Sequence, residues 1–205
     1  MDSKKKMLSL VIPVFNEQEV LKDSFARMDA AMQSTGYAYE IIYVNDGSRD
    51  NTLEQLRSLA EAHKQVKVLS FSRNFGHQLA VTCGMDAAKG DALIIIDVDL
   101  QDPPELIPRF VARWREGYDN VYGRRSARAG EGLVRRATAS MFYRLIARLS
   151  RTPVPEDTGD FRLLSPRALA ALRSLRERQR FMKGLFGWVG FNAAEIPYER
   201  EPRSA

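Results

Sequence analysis

The chain has 205 residues, 44% of them hydrophobic, a net charge of +5 and one cysteine, Cys83. That size and apolar content suffice for a globular core, so disorder is not the default. A single cysteine excludes an intramolecular disulfide and points to a reducing, cytosolic setting, and no apolar run reaches the ~18 residues of a membrane-spanning helix.

The first segment, MDSKKKMLSLVIPV, is too strand-like and too short in its apolar part for a signal peptide. SLVIPVF (9 to 15), YEIIYVND (39 to 46), VKVLSFS (66 to 72) and ALIIIDVD (92 to 99) are β-branched apolar runs that stop at polar residues, as buried parallel strands do. Between them lie helix-length stretches. Residues 17 to 35 put Val20, Leu21, Ser24, Phe25, Met28 and Met32 on one stripe, 52 to 63 do the same with Leu53, Leu56, Leu59 and Ala60, and 77 to 89 end at Gly90. The resulting βαβαβαβ alternation predicts an α/β domain with a mainly parallel sheet, which binds ligands at the carboxyl ends of its strands.

After Gly123 the character changes. From Arg124 to Arg151 there are eight arginines and one acid, Glu131, so +7 is concentrated there and −2 remains for the rest. Residues 133 to 149 read as a basic amphipathic helix, TPVPEDTGD as a loop, Pro166 to Arg178 as a short helix, and RFMKGLFGWVGF as a second apolar and basic stretch. Charge of this kind suits nucleic acid, anionic lipid or a phosphorylated substrate alike. The boundary divides the chain into residues 1–123 and 124–205 within one domain.

Each polar motif falls at a strand's carboxyl end. Asp97 and Asp99, at i and i+2 where Pro103 and Pro104 turn the chain away, can share one hard cation. Mg²⁺ takes only one or two protein carboxylates and completes its shell with water and phosphate oxygens, so the pair suits a metal bound to a nucleotide diphosphate, with Gln101 as a further carbonyl ligand. Asp102 is equally readable as an N-cap of the following helix. Asp46, in NDGSRDNT, makes a tight turn and also offers a carboxylate to a base or ribose. Glu17 either serves the nucleotide or complements its helix dipole.

SLVIPVFNEQEVL, YVNDGSRDNT, SFSRNFGHQLAVTCGMDAAKGD, IIDVDLQDPPELI, YGRR, DTGDFRLL and RFMKGLFGWVGF together resemble glycosyltransferase family two, and within it the polyprenyl-phosphate glycosyltransferases. The likeness implies a GT-A (Rossmann-like) fold, a nucleotide-sugar donor, Mg²⁺ or Mn²⁺, inversion at the anomeric carbon and a polyprenyl phosphate acceptor at the cytoplasmic face of the plasma membrane. It implies that Pro13, Phe15, Glu17 and Asp46 line the base and ribose pocket, with Arg73, Asn74 and His77 near the donor. Asp97 and Asp99, with Gln101, hold metal and diphosphate. Arg124 faces phosphate, and Asp160 stands near sugar and acceptor, positioning more than abstracting a proton, because a phosphate acceptor is already an anion. Arg125, Arg135 and Arg136, with the 181 to 188 stretch, rest against the acceptor headgroup and an anionic membrane surface.

Glucose from UDP-glucose to undecaprenyl phosphate is the leading assignment; mannose from GDP-mannose and an amino-arabinose derivative are the alternatives. A nucleic-acid-binding module is the reading from another class, and strands apolar on both faces count against nucleic acid as a partner. The family's members commonly continue into transmembrane helices, so the end at YEREPRSA reads as truncation within the last family block. A homo-oligomer stays open.

Overall fold

The computed structural model describes residues 6–126, 158–175, 177 and 182–200. The first four strands are β1 (Met7–Val14), β2 (Ala38–Asn45), β3 (Val66–Ser70) and β4 (Ala92–Ile95), joined by α1 (Leu21–Ser34), α2 (Thr52–Ala62) and α3 (His77–Ala87). They pair in parallel in the order β3-β2-β1-β4, as the alternation of runs predicts. α1 is shorter than its apolar stripe suggests: residues 17–20 form turns, and the helix starts at Leu21.

A short 3-10 turn (Pro104–Leu106), α4 (Ile107–Arg115), β5 (Asn120–Arg125), β6 (Thr158–Leu164), α5 (Pro166–Ser174), α6 (Met182–Trp188) and β7 (Ala193–Tyr198) follow among the described residues. The seven-stranded sheet runs β3-β2-β1-β4-β6-β5-β7, with β6 antiparallel to both β4 and β5 and β7 parallel to β5. Strands from both sides of residue 123 thus share one sheet. The basic stretch at 133 to 149, Arg135, Arg136 and Phe181 lie outside the described residues.

Burial on both faces explains the near-continuous apolar runs. On one face Leu8, Leu10 and Ile12 of β1 pack with Leu21, Met28 and Met32 of α1 and Phe110 of α4. On the other, Val11, Ile42 and Val44 pack with Ala80, Val81 and Met85 of α3 and Leu169 and Leu172 of α5. Ile94, Ile95 and Ile96 are fully buried, so the chain leaving β4 starts from a fixed point.

The amino ends of the strands are tied by one carboxylate. Glu40, 3% exposed, accepts from the Ser9 hydroxyl at 2.6 Å, from the Lys89 N–H at 2.7 Å and from Lys67. Burial alone would raise its pKa, but those hydrogen bonds outweigh it and hold the carboxyl below its ordinary value. A group depressed in the folded state contributes stability that is present above its unfolded pKa and lost as pH falls through the folded one. Glu40→Gln therefore should cost about 2 kcal/mol near neutral pH, with the deficit shrinking below pH ~4, as read from urea denaturation at stepped pH.

Candidate active site

Strand register brings the polar motifs together. Val14 pairs with Asn45 and Val11 with Ile95, so Phe15, Asp46 and Asp97 follow at the same edge of the sheet. Ile95 pairs with Arg162 in the antiparallel β4/β6 ladder, and continuing that register by two residues sets Asp160 opposite Asp97. The β5/β6 ladder is irregular between Tyr122 and Arg124, a bulge that re-aims both strands at this end.

A cleft of about 410 Å³ opens there. Its walls include Pro13, Phe15, Glu17, Asp46, Asp97 and Asp99. Asn74 and Gly76 of the loop before α3 and His77, the first residue of α3, close it. All six cleft residues expected from the first, second and fourth strand ends are thus in one place.

The loops are cross-braced. Asn16, with φ 55°, donates its N–H to the Ser48 hydroxyl at 3.0 Å and accepts from the Arg49 N–H at 2.8 Å; the Glu17 N–H donates to the Thr52 hydroxyl at 3.0 Å. Asp46, 3% exposed, accepts from the N–H groups of Phe75 at 2.7 Å and Gly76 at 2.9 Å, one on each carboxylate oxygen. It therefore holds the loop that leads to His77 while also lining the cleft.

His77 lies between two acids, with Nε2 2.9 Å from Asp160 Oδ2 and 3.8 Å from Asp97 Oδ1. The hydrogen bond to Asp160 raises the histidine's pKa against the effect of burial. Burial would raise Asp160, but the bond to His77, with the positive charges of Arg162 and Lys183, keeps it low. Burial pushes the Asp97 carboxyl up to about 6, opposed by His77 and aided by Asp160, Asp102 and Asp99. The Asp160 Oδ1 atom is buried with no hydrogen-bond partner among the described residues.

This charge balance fits a divalent cation. Two half-buried carboxylates two residues apart, in a cluster of acids that repel one another, form a hard oxygen donor set of the size Mg²⁺ or Mn²⁺ accepts. Among the described residues no group of three or more acids, histidines or cysteines forms a metal cage, so water and ligand oxygens would have to complete the shell.

The remaining expected residues stand around the cleft. Arg73 is exposed, its guanidinium 3.9 Å from the Phe75 ring centroid, and is not among the cleft's walls. Gln101 accepts from Arg200, and its N–H donates to Asp99 Oδ1 at 3.1 Å. Arg124 pairs with Glu195 of β7 at 3.1 Å. Arg125 turns to the opposite side of β5, toward Tyr198 and Asp102. Asp102 is no helix cap: Pro103 occupies the N-cap position without a side-chain bond, and the Asp102 carboxylate is buried at 1% exposure.

Sequence reasoning set His77 near the donor without the acids that flank it, which only the β4/β6 register reveals, and it missed one contributor altogether. Arg162 lies in DTGDFRLL two residues after Asp160, on the same face of β6. It is buried, stacks 3.6 Å over the Phe186 ring and donates to the Gly159 carbonyl at 3.0 Å. The alternation of β6 was the available signal.

Solved structures share this architecture. A mannosyltransferase from Pyrobaculum calidifontis, in complex with GDP-Man and Mn²⁺, superposes with a TM-score of 0.66 at 16% identity over 95% of this chain and 56% of that one. Glucosyl-3-phosphoglycerate synthase from Mycobacterium tuberculosis, in complex with Mn²⁺, UDP and phosphoglyceric acid, gives 0.66 at 21% identity over 98% and 71%. The fold is the GT-A fold of glycosyltransferases.

The family model for glycosyl transferase family 2 matches residues 9–173, and the chain belongs to that family. An uncharacterised glycosyltransferase of Synechocystis is 49% identical over 96% of this chain, and a bactoprenol glucosyl transferase of Shigella phage SfV is 42% identical over 97%. The chain spans 62% and 64% of those two proteins' lengths.

The Asp46 geometry gives a direct test. In Asp46→Asn one oxygen acceptor becomes an N–H₂ donor that faces a backbone N–H, so stability should fall by about 1–3 kcal/mol in urea denaturation. Loosening of the 74–77 loop should appear as faster amide exchange at Phe75 and Gly76.

Proposed function

We propose that this chain is the catalytic part of an inverting glycosyltransferase. It moves a hexose, with glucose from UDP-glucose as the leading donor, to a polyprenyl phosphate such as undecaprenyl phosphate at the cytoplasmic membrane face. The observation that carries the reading is Asp97 and Asp99 at the end of a buried strand in the cleft wall, with His77 beside Asp97 and bonded to the buried Asp160 behind it. The 42% identity to a bactoprenol glucosyl transferase supports the acceptor and sugar class.

In a single displacement an oxygen of the acceptor phosphate forms a bond to the anomeric carbon while that carbon's bond to the diphosphate breaks. The nucleotide diphosphate leaves with the electron pair, and no proton has to move. Positioning and charge then supply most of the rate. Asp97 and Asp99 would hold Mg²⁺ or Mn²⁺, which when bound stabilises negative charge on the departing diphosphate. Gln101, tied to Arg200 and bonded through its N–H to Asp99, keeps that turn closed.

Pro13, Phe15, Glu17 and Asp46 form the base and ribose wall, with Arg73 on its rim. Asp160, oriented by His77, fixes the sugar and the incoming phosphate. Arg124 at the β5 end, with Arg135 and Arg136 beyond the described residues, would supply positive charge for the acceptor headgroup; Arg125, expected to join them, is instead engaged with Asp102 and Tyr198. The +7 stretch would bring the protein to an anionic leaflet, each cation near the surface contributing on the order of 1 kcal/mol. Trp188, 61% exposed on α6, is an amphipathic side chain suited to the same interface. No helix among the described residues is long and apolar enough to cross a membrane.

The test is transfer of radiolabelled sugar from UDP-glucose, and in parallel from GDP-mannose, to undecaprenyl phosphate in anionic vesicles. Transfer from UDP-glucose should require Mg²⁺ or Mn²⁺ and fall by about 10²-fold or more in Asp160→Asn, the range typical of removing a positioned catalytic group. Transfer from GDP-mannose alone would reassign the base and sugar. Transfer from neither donor would end the reading for this chain.

A further inference from the structure

The turn that carries Asp97 and Asp99 is held from outside the cleft. Its last residue, Asp102, is 1% exposed and accepts a hydrogen bond from the Tyr198 hydroxyl at the end of β7. Arg125, at the end of β5, lies 3.4 Å from the same carboxylate oxygen through Nη2 and 3.2 Å from the Tyr198 oxygen through Nε. Two residues beyond Tyr198, Arg200 donates to the Gln101 side chain, and the Gln101 N–H in turn bonds Asp99 Oδ1 at 3.1 Å. Leu100, between these anchors, adopts φ 58°, a conformation that a leucine keeps only where its surroundings impose it.

The packing around the cluster leaves no slack. A Cβ on Gly123 would lie 2.7 Å from the Tyr198 ring, and one on Gly159 would lie 2.9 Å from Arg125 Nη2 and 3.5 Å from Asp102 Oδ2. The Tyr198 ring also meets Phe161 edge-on at 6.3 Å. None of Asp102, Arg125, Tyr198 and Arg200 is among the cleft's walls.

We propose that Asp102 is a positioning residue for the donor site: through Tyr198 and Arg125 it clamps the Asp97–Asp99 turn to the ends of β7 and β5, so that donor affinity depends on strand ends that touch neither nucleotide nor metal. This rests on the proposed use of Asp97 and Asp99 for a metal–diphosphate. The clamp also reaches the other side of the site, because β5 carries Arg124, proposed above for the acceptor, and the Gly159 that abuts Arg125 directly precedes Asp160. Freeing Asp102 leaves the turn's carboxylates in place chemically but no longer fixed in direction, and preorganisation is what such a site contributes to binding.

The experiment is calorimetric titration of UDP with Mn²⁺ into the whole chain and into Tyr198→Phe, Asp102→Asn and Ile196→Val, with a melting curve for each. Ile196 is buried in the same strand and faces the core, so its shortened side chain reports loss of β7 packing alone. Tyr198→Phe and Asp102→Asn should weaken UDP–Mn²⁺ binding by about ten-fold, a shift a merely structural role would not give, while Ile196→Val lowers the melting temperature and binds as the parent does. Binding within two-fold of the parent in both clamp variants, or equal weakening in Ile196→Val, overturns the clamp. A parent chain that binds neither UDP nor, in a parallel titration, GDP with Mn²⁺ overturns the donor-site reading instead.

Discussion

Like charges brought together at the end of a buried strand are the constraint on which this structure turns. Ile94, Ile95 and Ile96 fix β4 in the core, and the antiparallel β6 lays Asp160 against its end, so Asp97 emerges within electrostatic reach of Asp99, Asp102 and Asp160. Repulsion among four carboxylates costs stability unless each finds a cation or a donor. Among the described residues the partners are uneven: His77 for Asp160, Tyr198 and Arg125 for Asp102, and a single backbone N–H for Asp99. Burial pushes the Asp97 carboxyl up to about 6, with the neighbouring acids adding to the shift and His77 opposing it. An acidic cluster left short of positive charge at the mouth of a cleft is suited to a cation that arrives with its ligand.

The surrounding loops serve the same end by stiffening. Asp46 spends one lone pair on each oxygen to hold the loop that delivers His77, while Asn16, Ser48 and Thr52 tie the first two strand ends together. The Asp46 bonds are charge-assisted, and their loss leaves donors without acceptors, which is why a side chain that looks like an ordinary turn former sits where ligand binding requires a fixed wall. At the other end of the strands Glu40 does the equivalent for β1, β2 and β3. Function separates the two ends, since the chemistry that stabilises each is the same.

Much of this was legible from the sequence, and the limits have physical causes. β1 to β4 announce themselves as apolar β-branched runs because both their faces are covered, and α2 and α3 match their spacing. β5 (NVYGRR) and β7 (AAEIPY) carry arginine, glycine or proline at strand positions, and β7 tolerates Pro197 because it is an edge strand. β6 pairs antiparallel with β4 across more than sixty residues of sequence, a separation that no local pattern records. Among site residues, Pro13, Phe15, Glu17, Asp46, Asp97 and Asp99 stand at strand ends and could be placed by topology alone. Asp102 could not be, because its partners Tyr198 and Arg125 are distant in sequence, and its position before Pro103 imitates a helix cap.

The account stands on Asp97 and Asp99 sharing one divalent ion together with a nucleotide diphosphate. Crystals grown with UDP and Mn²⁺, measured at the manganese absorption edge, address that directly. The expected result is an anomalous peak between the two carboxylates at ~2.2 Å from an oxygen of at least one of them, with the diphosphate on its open side. A manganese peak elsewhere, or UDP bound in the cleft with no ion beside Asp97 and Asp99, would contradict the account.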